Sequence, residues 1–171
     1  GGIVVSRSIR IAGDEMDQDI INYARSRYNL LLGERSAEEV KVAGASAYPT
    51  KAEIRLTLRG RDLATGLPST IQISSGEIRE AIGGTLNQIV DAIKEIIEET
   101  PPELIGDLLQ DGIVITGGGS LLPGLKELVE KETKVPVTID DDPLTTVVKG
   151  TGKLLDDPDL LSQIVITSGL N

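Results

Sequence analysis

The chain has 171 residues, 53 of them Ile, Leu or Val, so it can bury the core of one domain, or of one domain with a small insertion. It contains no Cys, His, Phe or Trp, which excludes a Cys/His zinc site, a disulfide scaffold, a thiol nucleophile, an imidazole triad and a base-stacking platform. A net charge of −10 argues against nucleic acid as a partner, and no apolar run approaches the roughly 18 residues of a membrane span.

The chain opens Gly1-Gly2-Ile3-Val4-Val5 with no initiator Met, as expected of a piece of a longer protein; a processed or designed chain fits the same residues. Residues 3–11 are β-branched and partly alternating and predict a strand, stopped at Gly13-Asp14. A helix over about 15–28 follows, with Asp14 as N-cap and Ile20, Ala24 and Tyr28 on one face. Ser36 and Glu39 have capping-box spacing and predict a short helix ending before Gly44. Residues 52–60 alternate Ile54, Leu56 and Leu58 against Arg55, Thr57 and Arg59, a half-buried strand. Gly66 and Pro68 mark a turn, and Thr70 to Ile73 returns as the second strand of a hairpin.

Ser74 and Glu77 form a second capping box, opening a long helix whose apolar residues run Leu86, Ile89, Val90, Ile93, Ile96 and Ile97. Gly83-Gly84 is a place where it can split, and Pro101-Pro102 ends it before a short helix over 102–109. Residues 112–116 read as a buried strand that breaks at Gly117-Gly118-Gly119, with Pro123 in the first turn of a helix to about Glu132. Val135 to Ile139 predicts a strand, and Asp142-Pro143 caps a helix through Leu155. Ile164-Val165-Ile166 reads as an edge strand or a tail. The order of elements gives an α/β domain with an insertion near 30–73.

The strongest local signal is the run from Thr116 through Gly117, Gly118 and Gly119 to Gly124. Glycines between a strand and a helix let a ligand approach the backbone, and the helix N-terminus offers free N–H groups; a tight turn with no ligand fits the same residues. Two nucleotide signatures fail. The dinucleotide fingerprint would need Gly where Leu122 stands. The phosphate-loop pattern around Gly152-Lys153 has Val147 for its first Gly and Leu154 for its Ser/Thr. Gly13 lies at a second strand–helix junction. Glu38 and Lys41 share a helix face; Glu is able to accept from a ribose hydroxyl and the Lys stem to lie against a base edge, while a solvated ion pair is the plainer reading. Asp140-Asp141-Asp142 reads as a helix start, without the spacing of a calcium loop.

IRIAGDEMDQDIINYARSRYNLLLGERSAEEVK (9–41), GRDLATGLPSTIQISSGEI (60–78), PPELIGDLLQDGIVITGGGSLLPGLKELV (101–129) and DDPLTTVVKGTGK (141–153) together resemble the C-terminal half of the MreB family, the bacterial actins, in order from residue 2 to about 156. The resemblance implies the second lobe of the actin-like ATPase fold. Residues 1–28 and 74–156 would form an incomplete ribonuclease-H-like core without its first strands, 29–73 a small inserted α+β subdomain, and 157–171 a tail of uncertain role. It further implies that Gly117 and Gly118 line the adenine and α-phosphate side of an ATP or ADP site, that Leu122 lies near the base where eukaryotic actin has Tyr, that Gly13 approaches the ribose, and that Glu38 and Lys41 flank ribose and adenine.

Both phosphate loops, the Mg-holding Asp, the water-positioning acid and the family's membrane-binding element would lie outside this chain, which alone is expected to be inactive and to bind nucleotide weakly or not at all. The full protein would polymerise with ATP in the cytoplasm at the inner face of the membrane, organise cell-wall (peptidoglycan) synthesis for rod shape, and dock a membrane-anchored adaptor such as RodZ on this lobe. An interaction or engineered domain that has lost nucleotide binding, and a chaperone or sugar-kinase member of the same superfamily, are the alternatives.

Overall fold

The computed structural model describes residues 3–50 and 52–156. Helix α1 (Gly13–Tyr28) is followed by the short strand β1 (Leu30–Leu31) and helix α2 (Glu34–Gly44). Strands β2 (Arg55–Asp62) and β3 (Pro68–Ser74) form the expected hairpin and pair antiparallel from Arg55↔Ser74 to Arg61↔Pro68, while β1 joins the far end of β2 through Leu30↔Asp62. Asp62 sets the turn by accepting from the N–H groups of Ala64 and Thr65 at 2.9 and 2.8 Å. The alternation of β2 sends Leu58 fully into the core and leaves Arg55 and Arg59 exposed.

Helix α3 (Ser75–Glu99) begins at the predicted cap. The Ser74 hydroxyl accepts from the Glu77 N–H at 3.2 Å, and the Glu77 carboxylate accepts from the Ser74 N–H at 2.9 Å. It does not split at Gly83-Gly84: Ile82 and Leu86 are buried on either side, and buried Thr85 donates to Asp19 of α1 at 2.6 Å, so tertiary contacts carry the helix past its weak point. Ile20 and Ala24 of α1 and Ile78, Ile82 and Val90 of α3 form the centre of one continuous core with Leu30, Leu58 and Ile73.

Helix α4 (Pro102–Asp111), strand β4 (Ile113–Ile115), a 3-10 turn (Gly118–Leu121), helix α5 (Leu125–Thr133), strand β5 (Val137–Ile139) and helix α6 (Thr146–Asp156) complete the described chain. β4 and β5 pair in parallel, Ile113↔Val137 through Ile115↔Ile139. α5 docks Leu125 and Val129 against the core beside Val137, whereas α4 and α6 bury no residue.

Several expectations are corrected. Residues 3–11 form no strand, since a strand needs a ladder and they find no partner among the described residues; Arg7 instead pairs with Glu95 and Glu99 of α3. Asp14 is not the cap of α1: Ala12 holds that position without a side-chain bond, and Asp14 lies inside the first turn, where its charge suits the helix dipole. The Ser36–Glu39 box does not form, because α2 has already started after extended Gly33; Glu39 accepts from Arg35 instead. β4 is not buried, with Val114 66 % exposed. Pro123 precedes α5 rather than entering it, and Asp142 supports a turn before α6, its carbonyl accepting from the Thr145 N–H at 3.1 Å. Ile164 to Ile166 lies outside the described residues.

Candidate functional site

The segment after α2 docks on the segment before α5. The Ala47 N–H donates to the Pro123 carbonyl at 2.7 Å, and Gly124 (φ +81°) lies so close to Tyr48 that a Cβ there would sit 2.7 Å from the Tyr48 Cβ. The Lys131 ammonium lies 5.5 Å from the centroid of the Tyr48 ring and covers the contact. This docking sets the glycine-rich loop opposite α2 and the start of α1, and encloses a cleft of about 390 Å³ between them.

The cleft is lined by Gly13 and Met16 of α1, Glu38, Lys41 and Val42 of α2, and Gly118, Gly119, Leu121, Leu122 and Pro123 of the loop. Gly13, Glu38, Lys41, Gly118 and Leu122, all singled out in the sequence, thus meet in one place. Gly117 does not line it. With φ +86° it shapes the loop from behind: its N–H donates to the Pro143 carbonyl at 2.9 Å, and its own carbonyl accepts from the buried Ser120 hydroxyl at 2.7 Å. Gly119, Leu121 and Pro123 fall within the 116–124 run singled out above; Met16 and Val42 do not, but each had a signal, Met16 lying one helical turn from Gly13 and Val42 adjoining Lys41.

Lys41 does not pair with Glu38, the plainer reading of their spacing. Its ammonium crosses to α1, donating to the Gly13 carbonyl at 2.9 Å and to Asp17 Oδ2 at 2.7 Å, with the Lys41 and Asp17 side chains only 15 % and 14 % exposed. The other Asp17 oxygen, Oδ1, is buried without a hydrogen-bond partner among the described residues. Glu38 is exposed at the cleft wall, an acceptor one helical turn from the Lys41 donor.

The family model for the MreB/Mbl protein matches residues 1–163, past the limit near 156 of the motifs quoted above. The cell shape-determining protein Mbl of Bacillus subtilis is 45 % identical over 161 residues, 94 % of this chain and 48 % of its own length. The cell shape-determining protein MreB of Escherichia coli K12 is 45 % identical over 155 residues, 91 % of this chain and 45 % of its own. The chain therefore spans about half the length of the curated relatives it matches. Among solved structures, MreB5 of Spiroplasma citri bound to ADP superposes with a TM-score of 0.87 at 39 % identity, over 91 % of this chain and 47 % of that one. A MamK double helical filament gives 0.67 at 22 % identity, covering 83 % and 43 %, a likeness of fold alone. The fold is the α/β, actin-like one, represented in part, and the chain belongs to the MreB/Mbl protein family.

Proposed function

We propose that this chain is the second lobe of a bacterial actin-like filament subunit and that its cleft takes the adenosine side of ATP or ADP. One observation carries the reading: Gly13, Glu38, Lys41, Gly118 and Leu122, from three separate segments, line a single cleft. A volume near 390 Å³ falls in the roughly 300–1,000 Å³ range of small-molecule sites. Met16, Leu121, Leu122 and Pro123 offer apolar walls to a base, glycine backbone allows close approach, and Glu38 can accept from a ribose hydroxyl. The family supports it too, through the MreB5 structures bound to ADP and to AMPPNP.

In this reading residues 1–28 and 74–156 form the core and 29–73 the inserted subdomain. Phosphates and Mg are held by the rest of the subunit, and nucleotide-dependent closure of two lobes selects the shape that polymerises. The relatives' description as cell shape-determining proteins supports a cytoskeletal role: filaments beneath the cytoplasmic membrane that organise cell-wall synthesis, tethered by an adaptor of the RodZ type.

Calorimetric titration with adenosine and with Mg-ATP tests the site. Both are expected to bind comparably, with Kd on the order of 1 mM. No adenosine binding up to its solubility limit overturns the cleft assignment in favour of an interaction domain. Micromolar binding that depends on the phosphates overturns the half-site reading.

A further inference from the structure

We infer that Asp17 is a positioning residue for this cleft: it fixes Lys41 as a charge-compensated donor to an uncharged ligand rather than as an anchor for an anion. The inference rests on the nucleoside reading above for the ligand, and on geometry alone for the hold on Lys41.

A helix N-terminus carries partial positive charge and disfavours a neighbouring cation. Yet the Lys41 ammonium sits there, mostly withdrawn from water, within 2.9 Å of the Gly13 carbonyl in the first turn of α1. Asp17, one turn further along α1, is what makes this placement tolerable, since its Oδ2 takes a charge-assisted bond of 2.7 Å. Its second oxygen, Oδ1, is buried and unpartnered among the described residues, so Asp17 forgoes a partner for that oxygen where it stands.

The ammonium has three donors, of which Gly13 and Asp17 take two. Among the described residues one N–H remains for a ligand in the cleft that Lys41 lines, one helical turn from the acceptor Glu38. The pair offers a donor and an acceptor with no free positive charge, which suits the ring nitrogens and hydroxyls of a nucleoside and gives a phosphate nothing to neutralise. Gly13 belongs to the same device. A Cβ at that position would lie 3.3 Å from the Lys41 Nζ and press on the ammonium.

The test uses Asp17→Asn, Lys41→Met, their combination, and Gly13→Ala. The first readout needs no ligand: amine acylation of Lys41, mapped by mass spectrometry. Asp17→Asn is expected to speed it about ten-fold, the loss of one charge-assisted bond. The second is calorimetry with adenosine. Asp17→Asn and Lys41→Met are each expected to weaken binding, their combination no more than Lys41→Met alone, and Gly13→Ala to weaken it without lowering the melting temperature. Unchanged acylation in Asp17→Asn overturns the hold on Lys41. A further loss of adenosine affinity on adding Asp17→Asn to Lys41→Met overturns action through Lys41 and leaves Asp17 a general structural role. If the unmodified chain binds no adenosine, the nucleoside reading and the ligand half of this inference both fall, while acylation still decides whether Asp17 holds Lys41.

Discussion

Helices α3 and α6 are both built with apolar residues at helical spacing, and they meet opposite fates. α3 sinks Ile78, Ile82, Leu86 and Val90 against α1 and the hairpin, whereas α6 leaves Val147, Val148 and Leu155 at 69 %, 66 % and 71 % exposure. The same contrast separates Leu58 of β2, fully buried, from Val114 of β4, two-thirds exposed. Periodicity states that an element has an apolar face; only the neighbouring elements decide whether that face is covered. Stability in this chain is therefore concentrated in the α1–α3 region, with α5 and β5 attached to it. Truncation separates the two regions most sharply. Leu58→Ala or Ile82→Ala should cost about 2–5 kcal/mol, read from urea midpoints, because each leaves a cavity in close-packed surroundings. Val147→Ala or Leu155→Ala should change stability by less than about 0.5 kcal/mol. Equal losses in α3 and α6 would mean that α6 is covered in solution and would end the contrast.

Two glycines sharpen it at the next scale down. Gly124 has φ +81° and backbone packed against Tyr48, so Gly124→Ala strains both the conformation and the docking that closes the cleft, at about 1–3 kcal/mol. Gly84 lies exposed in the middle of α3 with nothing within 4 Å of an added Cβ, so Gly84→Ala should stabilise by about 0.5–1 kcal/mol. Thermal melts of the two variants should move in opposite directions.

Where local chemistry decides structure, the sequence was readable. The alternation of β2, the hairpin turn and the Ser74–Glu77 box are all fixed within a few residues, and each is present. Where the outcome depends on distant partners it was not. Residues 3–11 have strand composition without a ladder, Ser36 has cap spacing inside a helix that Gly33 already begins, and the glycine pair of α3 is overridden by Ile82, Thr85 and Leu86. The cleft divides the same way. Its glycines and the Glu38–Lys41 pair were visible as motifs, but the turn of Lys41 toward Asp17 depends on how α1 packs on α2, which no spacing encodes.

The effect that depends on pH comes from the start of α3, where the cap is also a tertiary contact. Tyr28 of α1 donates to the Glu77 carboxylate that closes the Ser74 cap. The Tyr28 hydroxyl and the Ser74 N–H hold the Glu77 carboxyl below its ordinary range, and the bond to Glu77 raises Tyr28 to about 12. Glu77 is depressed in the folded state, so its contribution is complete above about pH 5 and fades as pH falls through the ordinary carboxylate range and below it. Tyr28 is raised, so its contribution is complete below the ordinary tyrosine value near 10 and is lost as pH climbs toward about 12. Ser74→Ala should cost about 1 kcal/mol at neutral pH by removing the cap. Tyr28→Phe should leave the cap in place and flatten both arms of the stability–pH curve. The acid arm shrinks because the tyrosine bond is the leading cause of the Glu77 shift. The alkaline arm shrinks to what Tyr23 and Lys94 supply, since burial followed by the charge of Glu80 raises the Tyr23 hydroxyl and the bond to Glu132 raises Lys94. Urea midpoints at pH 3.5, 7 and 11 for the three chains read this out, and a Tyr28→Phe curve parallel to that of the unmodified chain would show that the cap and the tertiary contact act independently.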